Sequence, residues 1–335
     1  MSTPMIRFDL LRFFTPIAGG LEAVEAELER LLRSEIPVVE RLASHIRGGK
    51  GKRLRPALLL MAGRLCGAPQ EAAVRFGAVF ELTHTATLIH DDVIDHAGTR
   101  RAKPTLNVLW GNTLSVLFGD LLYLQAMSSA IQGRSWRVME ILCDVTTRMI
   151  EGELIQNSTL HRLDTRREDY FEIQERKTAL LFSGCTETAA VLAGRDPETC
   201  EALRRYGLEI GRAFQLVDDL LDYTATTDQL GKPAFSDLRE GKLTLPMLTL
   251  LERAPGEAQP LVEALWALPE GAPTPTGIET ALRSLITRLD ALDETRALAQ
   301  RASRAAAQAI AQVDGESRAK GLLAEIPELL LARSN

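Results

Sequence analysis

Apolar residues recur every three or four positions along almost the whole chain, which is the period of helices with one buried face. The strict alternation of strands and the short turns of hairpins are missing from this pattern. One amphipathic helix is predicted over residues 21–46, followed by Gly48 and Gly49, which end it. An apolar helix is predicted to begin near Pro56. The pattern therefore predicts an all-α fold.

More helices are predicted after a polar connection at residues 97–112. They span residues 113–131, 135–157, 168–193, 198–224 and 243–253. The stretch 254–276 contains five prolines, which predicts a surface loop before Ala-rich helices that continue to the C-terminus. Nothing divides the sequence cleanly. We therefore predict one domain over residues 1–335, a large helical bundle with a central cavity and residues 1–20 at its periphery.

Two acidic clusters of the form DDxxD interrupt these apolar helices. Their members are Asp91, Asp92 and Asp95 in the first, and Asp218, Asp219 and Asp222 in the second. Helical residues three and four apart share a face, so each cluster presents its carboxylates together. Burying them costs several kcal/mol per ion unless a cation neutralises the charge. Mg²⁺ binds carboxylates together with substrate phosphates, so the clusters predict a metal-bridged diphosphate site for about three ions by charge.

A single DDxxD could equally be a solvated first helical turn, but two copies in matching apolar settings favour the metal site. Cationic and polar side chains accompany the acids: Lys52, Arg53, Arg55, His84, Arg100, Arg101, Lys177, Thr178, Gln215, Lys232 and Lys242. The first three flank the N-terminus of a helix, where anions bind well. A solvated basic loop, a structural histidine and a core glutamine remain alternatives. So many cations predict two diphosphates rather than one.

Charge, cysteine spacing and the distribution of apolar residues argue against several classes of protein. A net charge of −6 provides no electrostatic footprint for nucleic acid. The four cysteines have no CxxC spacing, which is typical of reduced thiols in a cytoplasmic protein. Arg7, Asp9 and Arg12 interrupt the apolar N-terminus, so it does not resemble a secretory signal. We also expect no membrane span, because no uninterrupted apolar run of 18 residues is present.

The chain offers no nucleophile with a base dyad and no P-loop. Metal and diphosphate without these groups indicate a reaction in which diphosphate departs and the metal neutralises the leaving group. A carbocation would then form in an apolar pocket that excludes water. Attack by a second diphosphate-bearing alkene would extend a carbon chain.

Several motifs resemble those of the trans-isoprenyl (polyprenyl) diphosphate synthase family, in the family's order. They are GKRLRP, LIHDDVID, the following Arg-Arg, Lys-Thr, FQLVDDLLD, and GKP before DLREGKLTLP. The resemblance extends from about residue 20 to the end. It implies the all-helical isoprenoid synthase fold and a homodimer. It also implies a Mg²⁺-dependent prenyltransferase that elongates an allylic diphosphate with isopentenyl diphosphate.

The resemblance implies a role for each matching residue. The six aspartates would hold Mg²⁺ on the allylic diphosphate. The same diphosphate would contact Arg100, Lys177, Gln215, Lys232 and Lys242, with Thr178 beside its reacting end. Isopentenyl diphosphate would bind Lys52, Arg55, His84 and Arg101. An extra Gly-Lys makes Lys50 an alternative to Lys52, which keeps the family's spacing to Arg55.

The resemblance also implies that residues one turn before the first cluster, Ala86 and Thr87, would line the pocket that sets product length. Family members with short products tend to have bulky aromatics there, and HTATLIHDDVID resembles long-chain synthases that make quinone side chains. We therefore expect a long-chain product, with octaprenyl diphosphate as the first candidate and transient membrane contact at its release. Ala86 could instead simply pack in the core.

Four alternatives stay open. One is a shorter-chain farnesyl or geranylgeranyl synthase. A non-catalytic partner subunit would be expected to lack some of the acids or cations. A class I terpene cyclase would not need the basic loop, which also disfavours a squalene- or phytoene-type condensing enzyme.

Overall fold

The computed structural model describes residues 12–47, 51–100, 103–224, 235–269, 272 and 274–332. Helices dominate these residues, which confirms the all-α class. The helices before the second acidic cluster are α1 (Ala18–Leu32), α2 (Pro37–Arg47), α3 (Leu54–Cys66), α4 (Gln70–Ile94), α5 (Leu106–Trp110), α6 (Asn112–Gln132), α7 (Trp136–Thr159), α8 (Arg167–Gln174) and α9 (Leu180–Leu192). Those that contain or follow it are α10 (Pro197–Thr224), α11 (Ser236–Arg239), α12 (Leu245–Arg253), α13 (Pro255–Trp266), α14 (Thr276–Arg288), α15 (Asp293–Ala311) and α16 (Ser317–Leu331). A 3₁₀ turn covers Thr15–Ile17, and a π-helical turn covers Glu175–Ala179.

The single helix predicted over residues 21–46 is wrong, because the chain forms α1 and α2 with a break between them. Pro37 opens α2, and a proline disfavours helical backbone in the residue before it, here Ile36. The Arg47 guanidinium at the end of α2 donates to the Leu32 carbonyl oxygen at 2.8 Å. This bond satisfies a terminal carbonyl of α1 and ties the two helices together.

The predicted loop over residues 254–276 is also wrong in part, because α13 lies inside it. Pro255 stands in the first turn, where its missing N–H costs no helical hydrogen bond. Ala258, Val262 and Leu265 are buried at spacings of four and three residues. Packing of this apolar face outweighs the proline content.

The polar connection at residues 97–112 has more structure than its sequence indicates. Strands β1 (Thr99–Arg100) and β2 (Lys103–Pro104) pair antiparallel, with Thr99 opposite Pro104. The expectation of no hairpin is therefore wrong at this short pair. Helix α5 follows, and the segment lies directly beyond the first acidic cluster.

The chain forms two compact units, each assembled from separate stretches of sequence. Unit 1 comprises residues 1–145, 181–207 and 307–325, and unit 2 comprises residues 146–180, 208–306 and 326–335. The core of unit 1 includes the fully buried Phe76 and Phe80 of α4. The core of unit 2 includes Tyr223, Phe235 and Leu245. The single domain expected from the sequence stays a prediction.

Helix α6 corrects one expectation about membranes. Its 21 residues, Asn112–Gln132, have a mean hydropathy of 1.4 and are long and apolar enough to cross a membrane by length and composition. About 39% of its apolar window is buried inside the protein. Core helices of water-exposed proteins meet the same criteria, so length and composition assign α6 to neither setting.

Candidate active site

The first acidic cluster closes helix α4. Asp91 and Asp92 stand in its last turn, and Asp95 is the C-cap residue, whose N–H donates to the Asp91 carbonyl oxygen at 2.8 Å. No basic residue lies in that turn. The C-terminus of a helix carries partial negative charge, which disfavours carboxylates there. The local sequence therefore creates a negative potential that a cation can relieve.

Asp92 is the buried member of this cluster, at 6% exposure, while Asp91 and Asp95 are half-buried. Arg100 Nε donates to Asp92 Oδ1 at 2.8 Å. Burial raises the pKa of the Asp92 carboxyl, and the Arg100 charge opposes that rise. Arg100, which the sequence assigns to the allylic diphosphate, thus binds an acid of the first cluster.

A cavity of about 380 Å³ lies beside this cluster in unit 1. Its wall includes His45, Arg53, Glu81, His84, Thr85, Leu88, Asp92, Arg100 and Lys103. Four residues that the sequence selected therefore meet here: Arg53, His84, Asp92 and Arg100. Ala86 is buried and Thr87 half-buried, and neither lines this cavity.

Two predicted ligands, Lys52 just before α3 and Arg55 in its first turn, have different surroundings. Lys52 is exposed. Arg55 is half-buried, and its guanidinium lies over the Phe182 ring, 4.6 Å from the ring centroid. Stacking of this kind holds a cation without neutralising its charge. Lys50 and Arg101 lie outside the described residues.

The second acidic cluster lies near the end of α10 in unit 2. Asp218 is half-buried, whereas Asp219 and Asp222 are each 1% exposed. Asp222 Oδ1 accepts hydrogen bonds from Ser236 Oγ at 2.6 Å and Ser236 N at 3.2 Å, and Oδ2 accepts one from Asp237 N at 3.4 Å. Asp222 therefore holds the start of α11 in place.

Asp219 also binds protein groups. Its Oδ2 accepts a hydrogen bond from the Tyr170 hydroxyl at 2.5 Å, and its Oδ1 accepts one from Gln215 Nε2 at 2.9 Å. Burial, followed by the charge of Asp237, raises the pKa of the Asp219 carboxyl to about 7, against the lowering effect of both hydrogen bonds. A bound cation would return this carboxyl to its charged form.

Lys177 and Thr178 stand in the π-helical turn between α8 and α9. Such turns are rare and frequently occur at functional sites. Lys177 pairs with Glu153 of α7, and Thr178 Oγ1 donates to Gln215 Oε1 at 2.9 Å. Helix α10 approaches this turn closely, since a Cβ at Gly211 would lie 2.4 Å from the Ala179 Cα. Glycine is required there.

A cavity of about 210 Å³ in unit 2 brings these groups to one surface. Its wall contains Gln156, Tyr170, Lys177, Thr178, Gln215, Asp219, Asp237 and Lys242. Five of these eight are residues that the sequence selected. Lys242 Nζ lies 2.7 Å from Glu240 Oε2. Lys232 lies outside the described residues.

Three of these eight residues were not selected from the sequence: Gln156, Tyr170 and Asp237. Gln156 Nε2 is buried without an acceptor, so a ligand oxygen at this wall would satisfy it. Asp237 belongs to the DLREGK segment that carried the resemblance, and this was the available signal. Tyr170 gave no signal, because its partner Asp219 lies 49 positions away.

The acids fit Mg²⁺ as partners of a diphosphate rather than as a complete cage. Among the residues described, no group of three or more His, Cys, Asp or Glu side chains is placed to hold a metal ion alone. Mg²⁺ commonly keeps waters and takes one or two carboxylates plus substrate phosphates. Half-buried carboxylates at the negative end of α4 suit that chemistry. The six aspartate ligands stay a prediction.

The raised pKa of Asp219 makes metal-free stability depend on pH. The folded protein binds this proton more tightly than the unfolded chain, whose value is 3.8, so the stabilisation is full below that pH and is lost as the pH rises through about 7. The change in the free energy of unfolding amounts to roughly 4 kcal/mol at most. We expect the Tm in EDTA to fall between about pH 5 and pH 8, and to fall less in Asp219→Asn. Equal falls in the two proteins would contradict this role for Asp219.

Comparison with known proteins gives a consistent result. A model of the family described as Polyprenyl synthetase matches residues 36–272. Octaprenyl diphosphate synthase of Escherichia coli (strain K12) is 39% identical over 249 residues, 74% of this chain and 77% of that protein. All-trans-nonaprenyl-diphosphate synthase (geranyl-diphosphate specific) of Rhodobacter capsulatus is 38% identical over 248 residues, 74% of this chain and 76% of that protein.

A solved structure is similar to this chain over nearly its whole length. The polyprenyl synthase of Caulobacter crescentus CB15, crystallised with calcium and isoprenyl diphosphate, superposes with a TM-score of 0.89 at 36% identity. The match covers 97% of this chain and 98% of that one.

Proposed function

We propose that this chain, which belongs to the polyprenyl synthetase family, is a Mg²⁺-dependent trans-polyprenyl diphosphate synthase that makes a long-chain product. Its substrates in this proposal are isopentenyl diphosphate and an allylic diphosphate. The observation that carries it is the unit 2 cavity, whose wall combines Lys177, Thr178, Gln215, Asp219 and Lys242. Cations, hydrogen-bonding groups and a buried acid on one wall suit a diphosphate that binds together with a metal ion.

In this proposal the side chains of the cavity wall bind and orient the allylic diphosphate. The aspartates of the DDxxD clusters are the residues that would hold Mg²⁺, which would supply the positive charge that stabilises the departing diphosphate. Lys177 and Lys242 offer ammonium groups to the same oxygens. The hydrogen bond between Thr178 and Gln215 fixes the Thr178 hydroxyl at the cavity wall. The alkene carbon of isopentenyl diphosphate would form the new C–C bond with the allylic carbon, and the proton that the extended chain then loses would pass to the released diphosphate.

The second substrate is assigned to the unit 1 cavity and the basic loop. Arg55, stacked on Phe182, and Lys52 would bind isopentenyl diphosphate, with His84 at the wall of that cavity. Arginine and lysine differ here, because a stacked guanidinium is held in one orientation whereas an ammonium acts as a point charge. Arg55 would therefore orient the diphosphate, and Lys52 would add positive charge to the same ligand.

Long-chain products are supported by the relatives' names, which specify octaprenyl and nonaprenyl products. The small Ala86 before the first cluster agrees with them. Our first candidate is octaprenyl diphosphate, used for a quinone side chain. The proposal includes a cytoplasmic location and brief membrane contact when the apolar product leaves.

The activity is tested by incubating purified chain with Mg²⁺, farnesyl diphosphate and labelled isopentenyl diphosphate, then separating dephosphorylated products by chain length. We expect linear products longer than roughly twenty carbons, in line with the octaprenyl and nonaprenyl products that the relatives' names specify. Products that stop at or below that length would identify a short-chain synthase. A cyclic hydrocarbon would identify a cyclase, and turnover only with a second protein would identify a partner subunit.

A homodimer is proposed from the exposed side of α6. Leu117, Leu124 and Ile131 stand seven residues apart, so they share one stripe, and each is about 60% exposed. Isolated exposed apolar residues are ordinary, but an aligned stripe marks an interaction surface. Leu124→Glu is expected to convert a dimer into monomers in light scattering, whereas Leu109→Glu, on α5 and 45% exposed, is the control. A monomeric wild type would refute the dimer.

A further inference from the structure

We propose that Arg53 is a positioning residue, whose guanidinium joins the basic loop to helix α4 and so places Lys52 and Arg55 for isopentenyl diphosphate. The inference rests on the function proposed above and adds a residue to it. Arg53 itself does not bind the diphosphate in this account.

The contacts of Arg53 are with two carboxylates. Nη1 donates to Glu81 Oε1 at 2.8 Å. Nε donates to Glu25 Oε1 at 2.5 Å, and Nη2 donates to Glu25 Oε2 at 3.1 Å. Charge-assisted bonds of this kind are about twice as strong as neutral ones, and the paired contact fixes the plane of the guanidinium. The loop is therefore tied to α1 through Glu25 and to α4 through Glu81.

The two carboxylates differ in how far their side chains are exposed to solvent. The Glu81 side chain is 7% exposed and that of Arg53 is 21% exposed, whereas the Glu25 side chain is 46% exposed. An ion pair shielded from water is disrupted far more by loss of one partner than an exposed pair is. The bond to Glu81 should therefore provide most of the restraint.

The backbone at Arg53 requires a restraint. Its φ of 48° and ψ of 35° lie in the left-handed region, directly before α3 begins at Leu54. This conformation is disfavoured for a residue with a Cβ atom. Residues in it persist when their surroundings hold them, and they cluster at ligand sites. The turn at Arg53 sets the direction of the chain between Lys52 and Arg55.

The Glu81 contact also places the loop next to His84. Glu81 and His84 are three positions apart on α4 and therefore share a face, and both line the unit 1 cavity together with Arg53. The two carboxylates carry one more negative charge than Arg53 can neutralise, so the Arg53 guanidinium is fully committed to protein partners. Lys52 and Arg55 are the cations assigned to a phosphate, and Arg53 between them aligns them with the His84 face.

The test uses two isosteric variants as a matched pair: Glu81→Gln at the buried partner and Glu25→Gln at the exposed partner. Isothermal titration with isopentenyl diphosphate gives Kd, and steady-state kinetics give KM for each substrate and kcat. We expect Glu81→Gln to raise Kd and KM for isopentenyl diphosphate about tenfold, the loss of one charge-assisted bond. KM for farnesyl diphosphate and kcat should change by less than about twofold, and Glu25→Gln should have at most a threefold effect.

Arg53→Lys provides a second variant that keeps the buried Glu81 charge paired, so it serves if Glu81→Gln does not fold. It retains the cation and loses the fork geometry, and we expect a rise of about fivefold to tenfold in the same Kd. Unchanged isopentenyl diphosphate binding in both folded variants would overturn the proposal. Equal increases in KM for both substrates, with a lowered Tm, would also overturn it by indicating a purely structural role.

The same experiments distinguish a wrong functional assignment from a wrong role for Arg53. If the wild-type chain does not bind isopentenyl diphosphate, the function proposed above fails before any variant is compared. If the wild type binds it and the variants bind it equally well, only the positioning role fails.

Discussion

Asp91→Asn is expected to lower kcat by roughly a thousandfold, with little change in the folding of the chain. The substitution keeps the shape of the side chain and removes the charge that the C-terminal turn of α4 presents to a cation. Loss of one group that stabilises developing charge commonly costs a factor of about 100 to 1,000. Steady-state kinetics at saturating Mg²⁺ measure the effect, and a kcat within tenfold of the wild type would exclude this role.

Two variants make that result specific. Asp164→Asn is the control, because Asp164 is an exposed acid whose partner is Arg162, and we expect its kcat to change by less than about twofold. Asp218→Asn should lose activity as Asp91→Asn does. If both clusters act on the same diphosphate, the double variant should be little worse than either single one, since groups that act as a unit are strongly non-additive. Additive losses of activity in the double variant would mean that the two clusters have separate roles.

Ala86→Phe is expected to shorten the product to roughly fifteen or twenty carbons, because an added aromatic ring reduces the length of chain that a pocket admits. Ala86 is buried on α4, so the ring must displace neighbouring side chains. Overpacking of this kind costs about 1–3 kcal/mol of stability, which a Tm measurement will detect. Chromatography of the dephosphorylated products gives their length.

The control for this change is Ala73→Phe, at a similarly buried alanine near the start of the same helix. It should lower the Tm to a comparable extent and leave product length unchanged. A product of wild-type length from folded Ala86→Phe would mean that Ala86 only packs in the core. The growing chain would then follow another route.

The helical class could be predicted from the sequence because the apolar period persists through nearly every element. The local exceptions to this pattern could not be predicted. Pro37 begins a new helix after a break, whereas Pro255 begins a helix within a stretch rich in proline. Both are prolines in a first turn, and the difference is set by how the buried residues around them pack. A periodic pattern alone does not contain that information.

The candidate site was predictable where chemically suited residues stand close together in the sequence, as Lys177 and Thr178 do and as Gln215 and Asp219 do. Lys177, Thr178, Gln215 and Asp219 were selected from the sequence, and the structure places all four at one cavity wall. Their hydrogen bonds were not predictable. The tyrosine at position 170 donates to Asp219, and that contact depends on how α8 packs against α10. The π-helical turn that carries Lys177 had no sequence signal either.

The most direct test of the central claim is calorimetric titration of an unreactive allylic thiodiphosphate into the purified chain with Mg²⁺ and with EDTA. Two carboxylate clusters repel a diphosphate unless a divalent ion lies between the charges. We therefore predict binding that is at least roughly a hundredfold tighter with Mg²⁺, and loss of that gain in Asp91→Asn. Equal affinity with and without the ion would contradict the assignment of the aspartates to a metal–diphosphate site.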